Sequence, residues 1–238
     1  MTPRLRAALA EIDLAFGASV CSPDNVCLHC YAEPDVAPLA VPGAVIDDST
    51  LVSLMHKHPT SVTDHAALVR RLLPQIAHGF ADGTVEATWP AQHCLARGDW
   101  REWPYEEARV VRRFVEAWWL DRVTTPRAGS SAPFETYAAI LGDLPTALAS
   151  WPEHPVADAY LADASSRWVD DLIADENPLW LSDDDDDEVC AVLRRWYLDT
   201  AADRLDRFGA TALAASARTL ALPPDERFEI RYGPAPTT

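Results

Sequence analysis

Residues 21 to 30, CSPDNVCLHC, place three of the chain's five cysteines within ten positions and set His29 inside the last pair. A C-x2-C turn is a recurrent zinc knuckle because the short spacing lets two soft thiolates converge on one ion. Cys27 and Cys30 have that spacing, and Cys21 can add a third sulfur across a five-residue loop. The candidate metal ligands are therefore Cys21, Cys27, Cys30 and His29, with zinc as the ion. A complete structural site carries two ligand pairs, and only one pair is evident. The fourth ligand is then His29 or a distant group: His56, His58, His65, or the His93-Cys94 pair folding back. Two other readings stand beside zinc. A redox C-x2-C sits at a helix start beside a βαβ pattern, where the helix dipole lowers a thiol pKa, and no such pattern occurs here. Unligated cysteine, for its part, packs as a small hydrophobe.

Other constellations offer less. The chain has no G-x-S-x-G, no glycine-rich phosphate loop and no H-E-x-x-H. His56-x-His58 followed by Asp64-His65 is the best polar cluster outside the cysteines. Residues at i and i+2 do not share a helical face, however, and histidines at a helix end before Pro59 answer the dipole. The acid run SDDDDDEVC, 182 to 190, lacks the glycine and the alternating donors of a calcium loop. It suits the positive end of a following helix, whose inward stripe reads Val189, Leu193, Trp196, Ala201, Leu205 and Phe208.

Charge narrows the partners. The net charge of the 238-residue chain is −17, and Lys57 is the one lysine, an arginine-rich usage that suggests a GC-rich bacterial genome. Between Asp158 and Glu188 stand twelve acidic residues and one basic residue, Arg167. Such a surface repels phosphate backbones, so nucleic acid is not the expected partner. It attracts a basic protein, or else serves as a solvated face. No stretch reaches the run of about 18 apolar residues that spans a membrane, so no membrane partner is expected. Arg4 and Arg6 precede AALAEIDLAFGASVC, the outline of a lipoprotein signal. Glu11 and Asp13 interrupt it, and Val20 stands where a small residue is needed before Cys21. Residues 5 to 16 read instead as an amphipathic helix with Leu5, Leu9, Ile12 and Phe16 inward. A cytoplasmic location is expected, where five thiols, an odd number, stay reduced.

The elements that must position these residues are helical. Helix patterns begin near Asp48, at TDHAALVRRLLPQIAHG, and at WPYEEARVVRRFVEAWWLDRV, where Ala108, Val111, Phe114, Val115 and Trp118 form one stripe. Pro74 is expected to kink or restart its helix and Gly79 to end it. About five more helices follow, broken by Pro, Gly and Asn. The fold class is all-α, a multi-helix array or bundle of about nine to ten helices, with irregular HEAT-like packing as one arrangement. Only RFEIRY, 227 to 232, alternates like a strand. The expected organisation is an N-terminal helical part, 1–123, with the cysteine cluster; a linker or loop, 124–133, rich in Pro, Gly and Ser; an acidic helical part, 134–222; and a tail, 223–238. The many tryptophans are read as helix-contact packing.

Cys27 and Cys30 in CLHC, Leu73 and Pro74 in RRLLPQI, and Trp100, Trp103, Pro104, Glu107, Phe114 and Trp118 in WREWPYEEARVVRRFVEAW carry a further signal. Over roughly residues 21 to 122 the chain resembles an uncharacterised family of bacterial all-helical proteins with an N-terminal cysteine pair and a W-x-x-W-P helix start. The resemblance implies a helical fold and no particular activity. Pro74-Gln75 stands where the family pattern has Pro-Arg. The functional expectation is a non-catalytic protein-interaction or regulatory module with an acidic surface. The alternative is a zinc-binding protein or metal-dependent enzyme centred on the cysteine cluster.

Overall fold

Thr2 and Pro3 start the first helix as their chemistry dictates: the Thr2 hydroxyl accepts the Leu5 N–H at 3.3 Å, and Pro3 occupies a first-turn position where no backbone donor is needed. The computed structural model describes residues 1–56, 61–85, 94–126, 134–179, 181 and 186–233. His58, His93, Trp180, Asp183 to Asp185, residues 127–133 of the expected linker and 234–238 of the expected tail lie outside them. The helices are α1 (Pro3–Phe16), α2 (Glu33–Val36), α3 (Asp48–His56), α4 (His65–Asp82), α5 (Cys94–Arg97), α6 (Tyr105–Thr124), α7 (Phe134–Leu141), α8 (Leu144–Ala149), α9 (Pro155–Ile173), α10 (Asp186–Trp196), α11 (Ala202–Phe208), α12 (Thr211–Arg218) and α13 (Pro224–Tyr232). The fold is all-α, and the described residues hold no strand beyond one antiparallel bridge between Val26 and Val62. No helix among them is long and apolar enough to cross a membrane. Two compact units divide the chain: Met1–Asp121 with Thr136–Gly142, and Arg122–Glu135 with Asp143–Thr238.

In the first unit α1 lays Leu5, Leu9, Ile12 and Phe16 against α4, the stripe expected from periodicity. Helix α4 differs from expectation. It runs through Pro74 and ends at Gly83, which takes the left-handed conformation at φ 85°. Pro74 sacrifices one backbone bond without stopping the helix, whose inward face includes Leu68, Leu72, Leu73 and Ile76. Gly79 does not end it. A Cβ there would lie 2.4 Å from Val85 Cγ2, so this glycine permits close approach of the returning chain. Helix α6 buries Val111, Phe114, Val115 and Trp118 as expected, and Ala117 and Trp119 as well, so it is covered on more than one face. Trp118 stacks on Phe80 at 4.9 Å and donates its indole N–H to the Phe80 carbonyl at 3.2 Å. Trp119 stacks on Tyr137 at 4.9 Å, and the Trp100 N–H reaches the Ile140 carbonyl at 3.1 Å. Trp100 and Trp118 are packing elements whose polar edges find backbone acceptors.

Asp47 caps α3 by accepting from the Ser49 and Thr50 N–H groups and the Ser49 hydroxyl. Hydrogen bonds from Thr50 and Ser49 lower its pKa to about 2. Its folded value is thus depressed below the ordinary value of about 3.9. The cap therefore stabilises fully above that ordinary value and is lost as pH falls through about 2. Proton-exchange protection at the start of α3, followed down an acid titration, is expected to survive below pH 4 in the wild type. In Asp47→Asn the same amides should show no dependence on this titration; an unchanged acid profile in that variant would contradict the assignment.

In the second unit α9 packs against α11, α12 and α13, and α8 packs against α10. Residues 224–232 form a helix instead of the expected strand. Pro224 suits its first turn, Asp225 and Glu226 answer its positive end, and Phe228 and Tyr232 meet one turn apart at 4.7 Å. Long-range ion pairs then hold it. Arg227, 3% exposed, donates to Asp175 and the Ile173 carbonyl, and Arg231 makes two 2.8 Å bonds to Asp170. A lone alternating segment with no strand to pair with would leave its backbone groups unmatched, whereas the helix satisfies them internally.

The long C-terminal helical run is also not one regular α-helix. Between α10 and α11 lies a π-helical segment, Tyr197–Ala201, whose i→i+5 bonding slips the downstream face by about one residue. Val189, Leu193, Ala201 and Leu205 are buried as expected; Phe208 is 44% exposed, and Tyr197 and Arg204 are turned inward.

Candidate functional site

The cysteine segment is built from short local turns. Ser22 accepts the Asp24 N–H and caps a 3-10 turn over Pro23–Asn25. The chain then enters the Val26–Val62 bridge, flanked by Thr63 N–H to Asn25 carbonyl at 2.8 Å and Cys27 N–H to Ser61 carbonyl at 3.0 Å. A tight turn follows, closed by the Cys30 N–H donating to the Cys27 carbonyl at 2.9 Å. Cys27 is half-buried, while His29 and Cys30 are exposed.

Cys21 belongs to a different environment. It is 1% exposed, its N–H donates to the Leu39 carbonyl at 2.9 Å, and its thiol receives the Asn25 amide at 3.5 Å. Burial pushes this thiol's pKa up, reinforced by the Asp64 charge and opposed by the Asn25 hydrogen bond and the Arg71 charge. Cys94 is more deeply set, and burial pushes its thiol up to about 12. Burial raises the Cys190 thiol too. Among the described residues no group of three or more His, Cys, Asp or Glu side chains is gathered as a metal would require. Of the other histidines, His56 places Nδ1 2.9 Å from the Val52 carbonyl, and His65 begins α4.

These environments predict an ordered pattern of thiol reactivity. In native protein Cys30 should react with an aromatic disulfide reagent first and Cys27 next, while Cys21, Cys94 and Cys190 should react only on unfolding. Mass spectrometry of timed labelling would check the order; early modification of Cys94 would contradict it.

The segment is held from behind by α4. Arg71, 4% exposed, donates Nε to the Leu39 carbonyl at 3.2 Å and Nη2 to the carbonyls of Pro38, Val41 and Ala44 at 2.9, 3.2 and 2.5 Å. One turn on, Gln75 clamps Ile46, accepting its N–H at 3.1 Å and donating to its carbonyl at 2.5 Å. A neutral amide suits this position, because it can both donate and accept, whereas a guanidinium can only donate.

The acidic segment is less bare than its composition implies. Arg204 pairs with Asp158 at 2.6 Å, Arg194 and Arg227 share Asp175, and Arg231 takes Asp170. Four arginines from the C-terminal helices thereby answer three of the acids. Asp175 sits at φ 61°, a left-handed position closing α9 that the two guanidinium groups hold in place. Asp163, Glu176, Asp186, Asp187 and Glu188 remain exposed. The last three occupy the first turn of α10, as capping chemistry predicted.

A pocket of about 450 Å3 opens beside the π segment. Leu148, Trp151 and Trp196 supply much of its apolar lining, and Arg195, Asp199 and Thr200 bring polar groups to it. Trp151 and Trp196 lie 5.9 Å apart at 34°. Arg204 fixes this wall, donating to the Trp151 carbonyl at 3.1 Å and to the Pro152 carbonyl while paired with Asp158. Sequence reading missed the pocket. A trace was present in the apolar stripe, which advances by three or four residues except for one step of five, from Trp196 to Ala201. No protein-family model, no curated protein and no solved structure matches the chain.

Proposed function

We propose that this protein is a non-catalytic helical interaction module whose C-terminal unit offers an acidic surface to a basic protein partner, in the reducing cytoplasm that suits five cysteine thiols. The observation that carries the reading is the sorting of acids. After Arg194, Arg204, Arg227 and Arg231 have neutralised Asp158, Asp170 and Asp175, the exposed carboxylates of Asp163, Glu176, Asp186 and Glu188 have no arginine beside them in the described ion pairs, and the Asp187 carboxylate is exposed among them. Exposed unneutralised charge of one sign favours encounter with the opposite sign and screens with salt.

The test is affinity capture by the full chain and by a variant with Asp163→Asn, Glu176→Gln, Asp186→Asn, Asp187→Asn and Glu188→Gln. A basic partner is expected to be held by the wild type at about 0.05 M salt, released at about 0.5 M, and lost by the neutralised variant. Capture indifferent to both salt and the five substitutions would refute the reading.

The closed turn at Cys27–Cys30 favours a second reading, zinc held by Cys27 and Cys30 with Cys21, His29 or another histidine. Elemental mass spectrometry of protein purified without a metal-affinity tag tests it. Near-stoichiometric zinc, lost in the Cys27→Ser, Cys30→Ser variant, supports a metal site; folded, metal-free protein removes it.

A further inference from the structure

The pocket beside Tyr197–Ala201 combines features that the interaction surface does not use. A π segment inserts an extra residue into a helix at some cost, and such segments are frequently found at functional sites. Here the insertion has a visible structural effect. Tyr197 turns fully inward, where its hydroxyl donates to Ser165 Oγ at 2.8 Å, and its neighbour Trp196 is left half-buried on the pocket wall. The Trp196 and Tyr197 rings meet at 5.2 Å and 61°, which locks the indole from behind. Trp151 is locked as well, by its indole N–H on the Ala157 carbonyl at 3.0 Å and by Arg204 on its own carbonyl. The pocket therefore has a rigid aromatic lining, the arrangement that receives a planar apolar ligand at little ordering cost.

Its polar groups decide the ligand's charge. Arg195, in the last turn of α10, and Asp199, in the π segment, both line the pocket and are both exposed. Although four residues apart, their side chains form no ion pair with each other or with any described residue, in a unit where Arg194, Arg204, Arg218, Arg227 and Arg231 all do. A guanidinium fork suits a carboxylate, and a carboxylate suits an ammonium group. A net anion would meet repulsion from a chain of charge −17, whereas a zwitterion carries no net charge and can satisfy both groups.

From this combination we propose that the pocket binds a small zwitterionic aromatic molecule of the amino-acid class, its ring against Trp196, its carboxylate on Arg195 and its ammonium on Asp199. A volume of about 450 Å3 is ample for one such molecule.

Titration calorimetry on the full chain with L-tryptophan, tryptamine and indole-3-propionate tests this, since the latter two each lack one charge. L-tryptophan should bind saturably at one site and roughly tenfold or more tighter than either analogue. Arg195→Gln should abolish the advantage over tryptamine, and Asp199→Asn the advantage over indole-3-propionate. Both residues are exposed, so both variants should fold, which far-UV circular dichroism would verify. Arg207→Gln, the same charge change at an exposed residue outside the pocket lining, should bind like the wild type. Absence of saturable L-tryptophan binding, analogues binding as well as L-tryptophan, or undiminished binding in both pocket variants would overturn the proposal.

Discussion

Replacing Arg71 with methionine is expected to lower stability by about 3 kcal/mol in urea denaturation, the upper end for losing hydrogen bonds from a charged donor. The methionine keeps the apolar stem and volume but removes the guanidinium that serves the carbonyls of Pro38, Leu39, Val41 and Ala44. A hydrogen bond to a charged donor contributes about 1.5–3 kcal/mol, and four carbonyls lose that donor at once. Arg71→Lys should recover little, because one compact ammonium cannot reproduce a planar fork aimed at several acceptors. The loss should also be readable at a distance. The Leu39 carbonyl accepts both Arg71 Nε and the Cys21 N–H, so loosening residues 38–44 releases the strap over Cys21. The Cys21 thiol, protected in the wild type, should therefore become reactive in Arg71→Met under native conditions. A variant within about 1 kcal/mol of the wild type, with Cys21 still protected, would show that these carbonyls are satisfied without the arginine.

The second large effect lies in the same unit. Trp118→Ala should cost about 3–5 kcal/mol, the range for removing a large buried aromatic. Trp118 is 1% exposed, stacks on Phe80 and ties α6 to α4 through the Phe80 carbonyl. Trp118→Phe separates the two contributions. It retains an aromatic partner for Phe80 but loses the indole N–H and part of the volume, so a smaller loss of about 1–2 kcal/mol is expected. Equal losses in the two variants would mean that the hydrogen bond, and not the packed volume, dominates. Arg70 over the Trp103 ring at 4.1 Å, paired with Glu107 at 2.6 Å, is a half-exposed contact between the same helices and should matter much less.

The candidate sites were legible to different degrees. CSPDNVCLHC is visible as a cluster in one dimension, and the turn at Cys27 and Cys30 follows from its spacing. That Cys21 is buried apart from the exposed Cys30 is not, because its environment is made by Leu39, Asn25 and Arg71. The acid run was read correctly as the start of α10, since capping is local. The neutralisation of Asp158, Asp170 and Asp175 by arginines from 19 to 61 residues away is a matter of which helices meet. The strand expected at RFEIRY failed for the same reason: alternation over six residues carries no information about whether a partner strand exists.

By itself the sequence determined the helical class, the inward stripes of α1 and α6, and the start of α1 at Thr2-Pro3, because apolar spacing and capping act over one or two turns. Tertiary structure alone decided that α4 continues past Pro74 and Gly79, that Arg71 and Gln75 hold the chain from Pro38 to Ile46, and that Arg227 and Arg231 fold α13 onto α9. It also decided that a π segment leaves Trp196 and Arg195 beside an open pocket. Each of these depends on groups brought together from distant parts of the chain, where the gain comes from filling space and matching buried polar groups, and no local spacing records which groups those will be.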